Sequence, residues 1–203
     1  MCIFAAHYQS VIVMSQFEYK PRIADGVLEK KLKSSGAVLV EGPKWCGKTT
    51  TSEQHAKSIN YISDPVNLNK NLILAEMNIN ALLEGDKPKL LDEWQIIPQL
   101  WDAVRFEVDR SKGIGQFIMT GSAVPPDKEK QAKIHHTGTG RITSLRMRPM
   151  SLWESGESSG EVSLATLFNN PGTPIYSESK VQLEQIAFLI CRGGWPIATT
   201  LEP

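Results

Sequence analysis

Gly42-Pro43-Lys44-Trp45-Cys46-Gly47-Lys48-Thr49-Thr50 is the first stretch whose residue types could do chemistry, for it fits G-x-x-x-x-G-K-[ST] directly after the apolar run Ala37-Val38-Leu39-Val40. A strand, a tight loop and a helix in that order make an anion cradle, because loop N–H groups and the unsatisfied donors of the helix N-terminus converge on one phosphate. In such a cradle Lys48 reaches the β- and γ-phosphates of a nucleotide and the Thr49 hydroxyl ligates Mg²⁺. The competing reading is a plain glycine turn with an exposed lysine.

A second string, Lys89-Leu90-Leu91-Asp92-Glu93-Trp94-Gln95, ends a short apolar strand in two acids. Asp92 is the candidate for the metal shell, and Glu93, one residue on and across the chain, is the candidate general base for an attacking water. Acids after a strand are also ordinary helix caps. A third strand, Gln116 to Thr120, leads into Gly121-Ser122, and the Thr120 and Ser122 hydroxyls could sense a γ-phosphate or position water. Arg141 could stabilise charge that develops in phosphoryl transfer, or be a surface or ion-paired arginine. His135 and His136 have no other metal-type ligands near them in sequence, which argues against a metal site there. Trp94 and Trp101 read as packing.

These groups need elements to hold them. Ile23, Val27, Leu28 and Leu32 have helical spacing, with Lys30, Lys31 and Lys33 on a solvated face and Gly36 as the stop. A buried strand over 37–40, a helix from Lys48 to about Lys57 and a strand over 59–62 follow. One or two helices cross the sheet between Val66 and Glu84, broken around Asn78 to Asn80. After the acidic strand, a helix carries Trp101, Val104, Phe106 and Val108 on and around its apolar side. Ile142 to Met147 can form a fifth strand, and Ser151 caps a short helix stopped by Gly156. Helical spacing returns over 162–168 and 178–192, ending at Gly193-Gly194-Trp195-Pro196.

The expected fold is therefore α/β: a doubly wound, mostly parallel sheet of about five strands flanked by helices. We expect residues 1–18 to be a disordered or wrongly assigned start, with Met14 as the true one, and residues 19–155 to form the nucleotide domain. Residues 156–203 read as a serine- and glycine-rich linker and helices leading to a C-terminal part that this chain lacks. The 203 residues balance 22 Lys+Arg against 22 Asp+Glu, so net charge gives no electrostatic case for nucleic acid or an anionic membrane. No run is long and apolar enough for a membrane helix, and three scattered cysteines fit a reducing, cytoplasmic setting.

Further strings sharpen this. Tyr19-Lys20-Pro21-Arg22-Ile23-Ala24-Asp25, the loop filling Pro-Lys-Trp-Cys, Leu-Leu-Asp-Glu-Trp-Gln at 90–95, Phe-Ile-Met-Thr-Gly-Ser at 117–122 and Arg-Met-Arg-Pro-Met-Ser-Leu at 146–152 together resemble the prokaryotic AAA-type P-loop ATPases that carry a C-terminal domain of unknown function. That resemblance matches Lys48 and Thr49 to Walker A, Asp92 and Glu93 to Walker B, and the strand to Thr120 to the sensor strand. It implies ATP rather than GTP, with Mg²⁺, in a switch or motor for the C-terminal domain; a homo-oligomer, and a protein or nucleic-acid partner bound through that domain, are the further expectations. Two alternatives stand beside it: a nucleotide-bound adaptor without turnover, and a P-loop phosphotransferase whose lid would use Lys128, Lys130 and Lys133.

Overall fold

Short, mostly apolar runs form five strands in this computed structural model, which describes residues 18–121, 137–179 and 181–201. They are β1 (Ala37–Glu41), β2 (Ser58–Tyr61), β3 (Lys89–Asp92), β4 (Phe117–Gly121) and β5 (Ile142–Arg146). All neighbours pair in parallel, in the order β2-β3-β4-β1-β5. Central β3 and β4 are buried at every residue, while edge strand β2 alternates. A parallel sheet covered on both faces demands that difference, since only its edges meet water.

The alternation of side chains divides the core in two. Leu91, Phe117 and Met119 join Leu100 and Val104 of α4 (Leu100–Ser111) on one face. Val38, Val40, Leu90 and Ile118 join Leu28 of α1 (Ile23–Leu32) on the other. Gly36 lets α4 approach, because a Cβ there would lie 2.2 Å from Val108 Cγ1. The chain leaves β1 through α2 (Lys48–Glu53), passes to the far edge at β2, and returns through α3 (Leu68–Asn78) and a 3-10 turn (Ile79–Leu83). Strand order thus reverses at β1, and a doubly wound sheet offers its binding crevice at the carboxyl ends beside such a reversal.

Two local expectations need correction. The loop helix α2 ends at Glu53, not near Lys57, because the Lys57 N–H is drawn to Pro88 O at 2.8 Å, where β2 and β3 begin to pair. Phe106 is 58% exposed: Leu100, Val104 and Val108, four residues apart, define the buried stripe of α4, and Phe106 is out of step with them. The cap of α5 (Leu152–Ser155) follows the sequence closely, Ser151 Oγ accepting from the Glu154 N–H and Gly156 closing the helix at φ 96°. Beyond it lie α6 (Leu164–Asn169) and α7 (Leu183–Arg192). No helix among the described residues is long and apolar enough to cross a membrane.

Candidate nucleotide site

The loop after β1 opens at the carboxyl edge of the sheet. Gly42 passes so close to β5's continuation that a Cβ would lie 2.3 Å from Met147 O, and Gly47 takes φ 98°, a left-handed value that favours glycine. Cys46 N–H donates to Pro43 O at 3.3 Å. The N–H groups of Trp45, Gly47, Lys48 and Thr49 find no acceptor among the described residues, which leaves a ring of donors at the mouth of α2. Lys48 is buried, and its Nζ folds over that ring to donate to Gly42 O at 3.1 Å and Pro43 O at 3.0 Å. Carbonyl oxygens are weaker partners for an ammonium than phosphate oxygens, so this lysine can exchange them for an anion. Of the remaining loop residues, Trp45 is 72% exposed, with Lys44 Nζ 5.6 Å from its ring centroid.

Two strands and the loop helix meet at Asp92. Its buried Oδ1 accepts from Thr49 Oγ1 at 2.7 Å and from Thr120 Oγ1, joining the loop helix, β3 and β4 through one carboxylate. Thr49 and Thr120, 43 and 28 positions from Asp92 in sequence, are thus brought to one carboxylate. A hydroxyl beside a carboxylate is an all-oxygen donor pair of the kind Mg²⁺ accepts, since that ion uses one or two protein carboxylates and fills its octahedron with water and phosphate. Among the described residues no three or more His, Cys, Asp or Glu cluster as a metal-ligand group.

Glu93 follows in a left-handed conformation, φ 57°, uncommon for a residue with a Cβ. Its Oε2 accepts from Gln95 Nε2 rather than from the loop. Gln95 is the neighbour that sequence reasoning passed over, although it stands in the Asp-Glu-Trp-Gln string. Its buried Oε1 has no partner among the described residues and lies against Gly121, where a Cβ would be 2.1 Å away. Trp94 and Trp101 are packing residues as expected, ring centroids 5.2 Å apart.

Arg141 is not brought to the loop. It precedes β5, at the amino edge of a parallel sheet whose carboxyl edge carries the loop, roughly 16 Å of strand away. There its Nε pairs with Asp109 Oδ1 at 2.6 Å. Contrary to the sequence expectation, Arg141 is therefore an ion-paired arginine at the edge away from the loop within its own chain. Ser122, His135, His136 and the lid candidates Lys128, Lys130 and Lys133 lie outside the described residues.

A family profile described as an AAA domain matches residues 34–155, from the turn before β1 to the end of α5. No curated protein matches the chain in sequence. Among solved structures, a Signal Transduction ATPase with Numerous Domains protein with a tetratricopeptide repeat sensor, from Pyrococcus horikoshii, aligns at a TM-score of 0.42 and 14% identity. The alignment covers 92% of this chain and 31% of that one, and a likeness so loose carries no functional argument.

Proposed function

This chain belongs to the AAA domain family of P-loop ATPases, and on that premise we propose that it binds ATP with Mg²⁺ at the loop 42–50, hydrolyses it slowly, and uses the cycle as a conformational switch. The observation that carries this reading is the Thr49–Asp92 contact beside loop N–H groups that have no acceptor among the described residues. The N–H groups and Lys48 neutralise phosphate charge. Thr49 and Asp92 would hold Mg²⁺, which when bound draws charge from the phosphate oxygens. Glu93 takes a proton from water as its oxygen attacks the γ-phosphorus; the bond from that phosphorus to the bridging oxygen breaks, and ADP leaves. The γ-phosphate orders the groups around it, and its loss releases them, which residues 156–203 would pass on to an attached C-terminal domain.

Replacing Lys48 by Ala removes the ammonium held at the loop carbonyls and should abolish measurable Mg·ATP binding by calorimetry. Glu93→Gln should bind ATP as the native chain does and lose phosphate release by about 10² to 10⁴, the usual contribution of a positioned base. Retained affinity in Lys48→Ala would sink the site assignment. A second reading, an adaptor without turnover, is favoured by the Gln95 bond that holds the Glu93 carboxylate. Tight ATP binding with no phosphate release by the native chain would select it.

A further inference from the structure

Two of the strings noted in the sequence, 19–25 and 146–152, take no part in the phosphate chemistry, yet they meet in a single buried side chain. Arg22, just before α1, is almost wholly covered. Its Nη1 donates to Cys46 O at 2.9 Å, its Nη2 to Arg148 O at 2.8 Å, and its Nε to Glu154 Oε1 at 3.0 Å. Glu154 is equally buried and gathers the Ile23 N–H at 2.8 Å, the Ser151 N–H at 2.7 Å and the Ser151 hydroxyl at 2.9 Å. Burial by itself would raise the Glu154 carboxyl, but these hydrogen bonds outweigh it and hold the group below its ordinary value. A guanidinium is a rigid planar fork, so fixing one of its edges on Glu154 fixes where the others point.

The acceptor on the loop is what gives this clamp a function. In a planar trans peptide the carbonyl of one residue and the N–H of the next point in opposite directions. Drawing Cys46 O down onto Arg22 therefore turns the Gly47 N–H up into the cradle, where it lacks a protein acceptor among the described residues. The Gly47 backbone is closely covered on that side: a Cβ there would lie 3.2 Å from Arg22 Nη1 and 3.7 Å from Pro196 Cγ. The clamp also reaches the chain after α7. Met150 N–H donates to Gly194 O at 2.6 Å, and a Cβ on Gly194 would lie 2.1 Å from Met150 O, so only glycine fits there.

We propose that Arg22 is a positioning residue for the phosphate loop, aiming the Gly47 N–H at the anion through the Cys46 carbonyl, and that it couples nucleotide binding to the order of residues 148–156 and the Gly194 segment. The inference rests on nucleotide binding at the loop. Coupling of this kind is reciprocal: if nucleotide tightens the 148–156 contacts, loosening those contacts must weaken nucleotide by the same factor.

The test uses the full chain and ADP with Mg²⁺, read by calorimetry and by hydrogen exchange. Arg22→Lys keeps the charge but loses the fork, and Glu154→Gln keeps the shape but loses the charge that orients it. Val108→Ala, in the core under Gly36, is the control for plain destabilisation. We expect affinity to fall on the order of tenfold or more in Arg22→Lys, as when outer partners of a binding group are removed, and severalfold in Glu154→Gln. Val108→Ala should melt lower yet bind as the native chain does. Nucleotide should slow exchange at Met150 to Glu154 in the native chain and not in Arg22→Lys. If Arg22→Lys does not fold, Glu154→Gln decides by the same two readouts. Native-like affinity in the clamp variants, an equal loss in Val108→Ala, or unchanged protection at 150–154 would overturn the proposal while leaving the nucleotide site intact. A native chain that binds no nucleotide would overturn both.

Discussion

The sheet and the C-terminal helices carry similar apolar patterns and meet opposite fates. Along β3 and β4 every residue is buried, whereas no residue from 156 to 201 is buried among those described. Helix α7 shows the contrast best, since its aliphatic residues recur every three or four positions and yet Leu183 is 77% and Ile190 76% exposed. A strand in the middle of a sheet has a ladder on each side and helices on both faces, so its pattern is answered by neighbours within the chain. An amphipathic helix only presents a stripe, and burial needs a second surface. Periodicity is thus a condition for a core and not a core.

Three stability measurements test whether the two regions differ as their burial implies. The largest effect belongs to the sheet: Phe117→Ala, at a fully buried position against both β1 and β3, should cost about 3 to 5 kcal/mol in a denaturant titration. Next comes the seam at Glu154, where Glu154→Gln should cost about 1 to 3 kcal/mol at neutral pH, because Arg22 loses its charged partner. Its sign with pH follows from the lowered carboxyl. Stability from Glu154 is full above the ordinary value of 4.5 and is lost as pH falls through the lower folded value, so the gap between native chain and variant should close in acid. A gap that widens in acid would contradict the ion pair. Smallest is Ile190→Ser on α7, which should change stability by less than about 0.5 kcal/mol. A cost above about 2 kcal/mol would mean that α7 is covered in solution and would erase the difference between the two regions.

Much of the nucleotide site was legible because its parts are local. The glycines of the loop, the threonine that opens α2 and the acid that ends β3 each declare themselves within a few residues, and a parallel sheet then leaves one edge where strand ends can meet. The Ser151–Gly156 helix was legible for the same reason, as its cap and stop are both inside the segment. Arg141 misled because residue type was weighed without strand direction: preceding a parallel strand places a side chain at the edge away from the loop. Phe106 misled because apolar content on α4 is wider than its buried stripe. Arg22 and Glu154 are 132 residues apart, and no local rule pairs them.

What the sequence determined alone was the order of elements, the glycine-bounded loop after β1 and the hydroxyl and carboxylate that stand beside it, because backbone geometry and short-range spacing impose those. Tertiary structure decided which edge each side chain occupies, that Gln95 holds Glu93, and that Arg22 lies beneath the loop. Those depend on packing between distant segments, where a burial or a hydrogen bond is settled by whichever surface arrives opposite.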